Sequence, residues 1–422
     1  MGATTTFTYD NDGNRLTTKL PGSVTQTVTW DNSDRPTAAK TTSGTSTTVS
    51  YTYGYTLGGA DTDQIQTRTD KVSGKVLTYT YDSQSRLKYA EEDSGSTRAA
   101  SWLYCYAKAG NLTTYSGTAD ACSDSGLTTY TYNAANQITA LNGDTSGWSY
   151  DKDGNELSAA STLGSRTGET YNDFDQLTAL TTAGTTHHYT YAGTDNSQRL
   201  TEDTTRTDQG PLGISITTTG STSTGIVRDP AGTLIGMTAN GAAHYYTTNS
   251  QGAPSTLTSP TGTVENQWDY GPTGSARPTT STTVAQPFGY TGAYLDTTGL
   301  YKMGARSYDH TTDHSGKETN PYLYTSGDPV NRTDPSGLFS LGDALSIAGD
   351  LVTGSYHLYQ GDSQALWGDA LGVIAGGITG LACEAIITAG APETLGASEA
   401  ALPACFAAGW AFGSITSNAI SG

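Results

Sequence analysis

Tyr9-Asp10-Asn11-Asp12-Gly13-Asn14-Arg15-Leu16 decides the fold of this chain, because its pattern returns along most of the sequence. An aromatic residue is followed by Asp or Asn, then by small polar residues, then by an aliphatic one. Trp30-Asp31, Tyr81-Asp82-Ser83-Gln84-Ser85-Arg86-Leu87 and Tyr132-Asn133-Ala134-Ala135-Asn136-Gln137-Ile138 are further copies. Tyr150-Asp151-Lys152-Asp153-Gly154-Asn155-Glu156-Leu157 and Tyr171-Asn172-Asp173-Phe174-Asp175-Gln176-Leu177 follow. Adjoining copies are 18 residues apart (132 to 150) or 21 apart (9 to 30, 150 to 171). A step of about twenty residues holds a strand, a tight turn and a second strand.

The physics of one copy is legible. Tyr-Thr-Tyr triplets at 51–53, 79–81, 130–132 and 189–191 place two rings on one face of a strand and Thr on the other, since side chains alternate. Asp-Gly-Asn supplies residues that accept positive φ in a hairpin turn. The Leu or Ile that follows returns to the aromatic face. One such hairpin cannot bury its rings alone, so neighbours must stack into an extended, twisting β-sheet. The expected fold is therefore mainly β.

Composition narrows the function. Only 14% of the residues are charged, against about 25% in ordinary globular chains, which argues against a disordered polyelectrolyte. The 51 Gly and 27 Tyr, beside 6 Phe, suit turn-rich β-structure whose aromatic faces stay partly wet. A net charge of -19 and no basic stripe exclude nucleic acid as a partner, since phosphate neutralisation needs clustered Lys and Arg. No cofactor motif is present, and no metal site is expected. Asp10-Asn11-Asp12-Gly13-Asn14 resembles the start of a calcium loop, but its Gly stands fourth and between strands. The pair His310 and His314 lacks the Glu of a zinc-protease motif.

Four cysteines form two local pairs, Cys105 with Cys122 and Cys383 with Cys405, neither with C-x-x-C spacing. They are disulfide candidates for an oxidising compartment, the alternative being part-buried thiols. The N-terminal residues have no basic and apolar leader pattern, so an extracellular or cell-surface location implies export with a larger parent or by a dedicated machine.

The repeats resemble the YD repeats of Rhs-type proteins, a family that includes teneurins and the shells of bacterial toxin complexes. Pro287-Phe288-Gly289-Tyr290-Thr291-Gly292-Ala293-Tyr294, Gly299-Leu300-Tyr301-Lys302-Met303-Gly304-Ala305-Arg306-Ser307-Tyr308-Asp309 and Asn320-Pro321-Tyr322-Leu323-Tyr324 resemble the family's associated core. Asp334-Pro335-Ser336-Gly337-Leu338 closes it. The resemblance covers about residues 5–338. It implies a YD-repeat shell over 1–285, a core block over 286–338 and a variable C-terminal domain over 339–422. It also implies an intramolecular aspartic protease that cuts after the Leu of the last motif and leaves a toxin inside a hollow β-cocoon. Carried onto this chain, the scissile bond is Leu338–Phe339 and the two carboxylates are Asp313 and Asp334. Arg306 is the residue to hold or orient one of them. Two close carboxylates can share a proton, one serving as base and the other as acid. The chain departs from the family where the upstream motif has Asp313-His314 in place of Asp-Pro, and where the segment before it is shortened. Without catalysis, Asp313 and Asp334 would simply nucleate turns.

Residues 339–422 contain no Lys or Arg. Their pattern predicts a small α-helical, Gly/Ala-rich domain, with amphipathic helix at 339–365 and an apolar run at 370–390 broken only by Glu384. Gly372, Gly376 and Gly380 form G-x-x-x-G steps, and Gly409 and Gly413 repeat them, so 370–413 is a candidate for membrane contact. The alternative is a packed helical pair. Two functions follow from the whole. One is a toxin-delivery shell that carries its own C-terminal domain as cargo, with an immunity protein as a further partner. The other is a non-catalytic extracellular β-repeat protein that adheres or binds carbohydrate through Tyr and Trp.

Overall fold

The computed structural model describes residues 4–312 and 322–337, and the backbone of 341–342. All of these lie in the first of two units into which the chain divides, Met1–Leu345 and Ser346–Gly422. The helical domain and membrane segment expected within 339–422 fall outside the described residues.

The described residues are strands and turns, with two short 3₁₀ turns at Tyr290–Gly292 and Tyr324–Gly327 and no α-helix among them. Twelve strands, from Thr6–Tyr9 to Ile138–Leu141, form one antiparallel sheet. Fourteen more, from Ser149–Tyr150 to Ser281–Thr282, form a second. Sequence neighbours pair throughout both. The small ribbon Thr56–Leu57 with Ala60–Asp61 is the one interruption, and the strands on either side of it pair with each other.

The repeat specifies this meander through its turn. In the first copy Asp10 N–H donates to the Asn14 carbonyl at 3.0 Å. Asp10 Oδ1 accepts from the amides of Asp12 and Asn14 at 3.0 and 2.8 Å. Asp31, Asp82, Asn133, Asp151 and Asn172 repeat both interactions. The side chain thus satisfies amides that a tight turn leaves without partners. Positive φ falls at one position only, the fourth of each loop: Gly13, Asp34, Ser85, Asn136, Gly154 and Asp175. Asp and Asn outside the glycine copies tolerate that region through local hydrogen bonding. Most copies also carry a register shift at the aromatic residue, for example at Tyr9, Trp30, Tyr132, Tyr150, Tyr171 and Tyr191. Such bulges increase local twist and aim the ring that follows.

That ring reaches back to the preceding copy. Trp30 Nε1–H donates to the Arg15 carbonyl at 3.1 Å, Tyr55 to Pro36 at 3.0 Å, Tyr81 to Ile65 at 2.7 Å and Tyr132 to Leu112 at 2.6 Å. A phenol can bury its ring and still satisfy its hydroxyl there, which accounts for Tyr over Phe in this composition. In three of the four triplets the first ring lies deeper. Tyr79, Tyr130 and Tyr189 are buried while Thr80, Thr131 and Thr190 are exposed, as alternation requires. Leu87 and Ile138, fully buried, join Tyr79 and Tyr130 in one core. On the opposite face, threonines pair across strands, as Thr29 with Thr37 at 2.9 Å and Thr170 with Thr178 at 2.9 Å.

The two sheets are latched directly. Arg15 meets Asp229 at 2.5 Å, Arg277 meets Glu92 at 2.6 Å, and Ser43 donates to the Gly262 carbonyl at 2.6 Å. Residues 286–337 then bind both. Toward the first sheet, Gln64 donates to Asp328 and Asn331 donates to Tyr81, while Tyr130 donates to the Thr311 carbonyl. Toward the second, Asp309 takes Arg166, and Asp296 takes Arg199. Tyr290, Tyr301, Tyr308 and Tyr324 gather with Met303 in a core of their own. The Tyr308 and Tyr324 rings are 4.5 Å apart. Three of these hydroxyls converge on one turn: Tyr290 donates to Pro272, Tyr308 to Thr273 and Tyr301 to Gly274.

Candidate functional site

Two turns of the 286–337 block carry Arg306 and Asp334, the expected site residues that are described. The first, Gly304-Ala305, joins strands Tyr301–Met303 and Arg306–Tyr308. The second is Asp334-Pro335-Ser336-Gly337, closed by Gly337 N–H donating to the Asp334 carbonyl at 3.3 Å. Ala305 N–H donates to the Ser336 carbonyl at 2.8 Å, so the turns lie backbone to backbone. Their glycines are required for this. A Cβ on Gly304 would stand 2.1 Å from the Ser336 oxygen, and one on Gly337 would stand 2.1 Å from the Met303 oxygen. Both also hold positive φ, at 48° and 68°.

Asp334 is 2% exposed. Its Oδ1 accepts from Ser336 Oγ at 2.9 Å, and the Tyr324 hydroxyl lies 3.4 Å from its amide nitrogen. Burial pulls the Arg306 guanidinium below its ordinary value, and the Asp334 charge is the main influence opposing that. Arg306 thus feels the Asp334 charge across the two turns. Asp313, Leu338 and Phe339 lie outside the described residues, as do Cys383 and Cys405. Cys105 and Cys122 are joined in a disulfide with Cα atoms 6.1 Å apart.

Two buried carboxylates of the same block were not singled out from sequence. Asp309 is desolvated, which would raise it, but Arg166, Ser161 and Thr311 outweigh burial and hold it down to about 2. The distances are 2.8 Å to Arg166, 2.5 Å to Ser161 and 2.6 Å to Thr311. It is a fixed anion that fastens the block to the second sheet. Asp328 behaves oppositely. Burial raises it, against the side-chain amides of Gln64 at 2.8 Å and Asn331 at 2.8 Å and the Arg332 charge. The signals were present: Asp309 ends a quoted motif, and Asp328-Pro329 duplicates the Asp334-Pro335 pair. Arg166 has no counterpart signal, since it sits in an unremarkable strand, Ser165–Tyr171. Among the described residues no cluster of His, Cys, Asp and Glu could hold a metal ion, and no helix is long and apolar enough to cross a membrane.

This geometry has relatives. Residues 215–317 match the family described as Teneurin YD-shell. Among solved structures, the crystal structure of TcdB2-TccC3-Cdc42 matches with a TM-score of 0.63 at 16% identity, over 82% of this chain and 20% of that one. The Photorhabdus luminescens Tc holotoxin pore matches with a TM-score of 0.56 at 16% identity, over 79% and 19%. TcdB2-TccC3 matches with a TM-score of 0.56 at 17% identity, over 79% and 20%. The chain thus spans about a fifth of the length of these relatives. No curated protein matches it by sequence. Its antiparallel meander of aromatic-Asp hairpins shares the fold of these Tc toxin structures, and residues 215–317 are similar to the YD-shell family.

Proposed function

We propose that this chain is part of an exported Rhs-type toxin shell, in which residues 1–285 form shell wall and 286–338 form the core block. Residues 339–422 are the cargo, released by cleavage of Leu338–Phe339. The observation that carries this reading is the burial of Asp334 beside Arg306, at the seam of two turns whose glycines leave no room for another residue. A buried carboxylate at the end of a tightly held block suits acid–base chemistry on a nearby peptide bond. In this reading Asp313 supplies the second carboxylate, and Arg306 keeps Asp334 oriented. The cargo meets its target outside the producing cell, by membrane contact through 370–413 or by another activity, and an immunity protein protects the producer.

The mass spectrum of the purified chain tests this. A fragment beginning at Phe339, lost in Asp334→Asn and in Asp313→Asn, is the expected result. An intact wild-type chain overturns the protease and leaves the shell architecture standing. For the cargo, dye release from liposomes by 339–422 tests membrane action, and an intact dye signal removes it.

A further inference from the structure

We propose that a cleft where the two sheets meet the 286–337 block is a binding site for a small oxyanion, of the carboxylate or phosphate type. Tyr51, Tyr53 and Tyr79 from the first sheet, Trp268 and Tyr270 from the second, and Tyr290 from the block line it around Arg68. Arg68 is the centre of the argument. Its guanidinium carbon lies 4.9 Å from the centre of the Tyr51 ring, and its side chain is 19% exposed. No protein acceptor among the described residues takes a hydrogen bond from it, although it carries five N–H donors. The nearest carboxylate oxygen, Asp269 Oδ1, is 3.7 Å away, beyond hydrogen-bonding reach.

Asp269 is shared between two arginines, because its other oxygen accepts from Arg277 at 2.8 Å and from Thr279 at 3.1 Å. Glu92 in turn is shared by Arg277 at 2.6 Å and Lys75 at 3.0 Å. Three cations (Arg68, Arg277 and Lys75) thus face two carboxylates (Asp269 and Glu92), which leaves one positive charge uncompensated. A buried charge is costly unless it is paired and hydrogen-bonded. In the lining of the same cleft, the Tyr270 hydroxyl is buried with no hydrogen-bond partner. A planar guanidinium with open donors, flanked by phenol hydroxyls, is matched by a carboxylate or phosphate that accepts from both.

Thermal melting of the full chain tests the proposal, with sodium phosphate and sodium acetate each compared against sodium chloride at matched ionic strength. A ligand bound only by the folded state raises the midpoint along a saturable curve. A saturable rise with phosphate alone assigns a phosphoryl ligand, and one with acetate alone assigns a carboxylate. In Arg68→Met the same rise should need at least about tenfold more anion, the loss expected when a charge-assisted pair is removed. If Arg68→Met does not fold, Arg68→Lys, which keeps the charge but not the fork, and Tyr270→Phe should each require several-fold more anion. Equal responses to chloride and to both oxyanions would overturn the site, as would variants whose response matches the wild type.

Discussion

The repeated strands and the 286–337 block use tyrosine in opposite ways. In the repeats several rings each reach one carbonyl of the preceding copy, as Tyr132 reaches Leu112 and Tyr81 reaches Ile65. The contact is short-range, and the next copy makes it again. In the block, three hydroxyls converge on the single turn at Pro272, Thr273 and Gly274, and the rings pack on one another. That contact is made once. Redundant local contacts make a substitution's effect small and additive, whereas a shared cluster couples its members. The block should therefore be fragile where the repeats are tolerant.

The largest expected effect is on the chemistry proposed for the block. Asp334→Asn should abolish the fragment beginning at Phe339, while Asp82→Asn, at a repeat turn, should leave its yield unchanged by mass spectrometry. Next come the glycines. Gly337→Ala forces a methyl onto the Met303 carbonyl and should cost about 3 kcal/mol or more in chemical denaturation. Gly184→Ala, at a repeat turn with positive φ but open space around it, should cost about 1 kcal/mol. Similar losses at both positions would erase the contrast.

The pH dependence sharpens the comparison further, because Arg166 faces carboxylates of both regions. Burial first, and then the Glu156 charge, push Glu169 of the second sheet up to about 8 from an ordinary 4.5. The folded protein holds that proton where the unfolded chain releases it, so stability is full below pH 4.5 and declines as the pH rises toward about 8. Asp309 of the block, held at about 2 against an ordinary 3.8, contributes stability above pH 3.8 that is lost as the pH falls through about 2. Melting midpoints across pH should show both slopes. Glu169→Gln should flatten only the alkaline one. The smallest effect is Tyr132→Phe, which removes one hydroxyl bond between copies and should cost about 1 kcal/mol by denaturation.

Much of the sheet architecture was legible because one copy contains its own instructions. The first loop residue, the position of positive φ and the alternation of Tyr-Thr-Tyr are local properties, and the Tyr79-Thr80-Tyr81 strand follows them. The site was legible only in part. Asp334 and Arg306 could be named from the motif that each occupies, on two turns that share a backbone hydrogen bond. The ion pair of Arg166 with Asp309 joins residues 143 positions apart, and no local pattern records it. The same holds for Arg68, whose unsatisfied guanidinium becomes visible only when Asp269 and Arg277 are seen to occupy each other. Distances between remote strands are set by packing of the whole unit, and the sequence carries them only collectively.

The aromatic bonds between successive copies point one way. Trp30, Tyr55, Tyr81 and Tyr132 are donors, and the carbonyls of Arg15, Pro36, Ile65 and Leu112 that receive them were all translated earlier. Each acceptor therefore stands in place before its donor leaves the ribosome. For these aromatic contacts a nascent hairpin needs no later residue, so they can form in step with translation, each finding its acceptor already set. The block, which touches both early and late strands, must wait for the whole wall behind it.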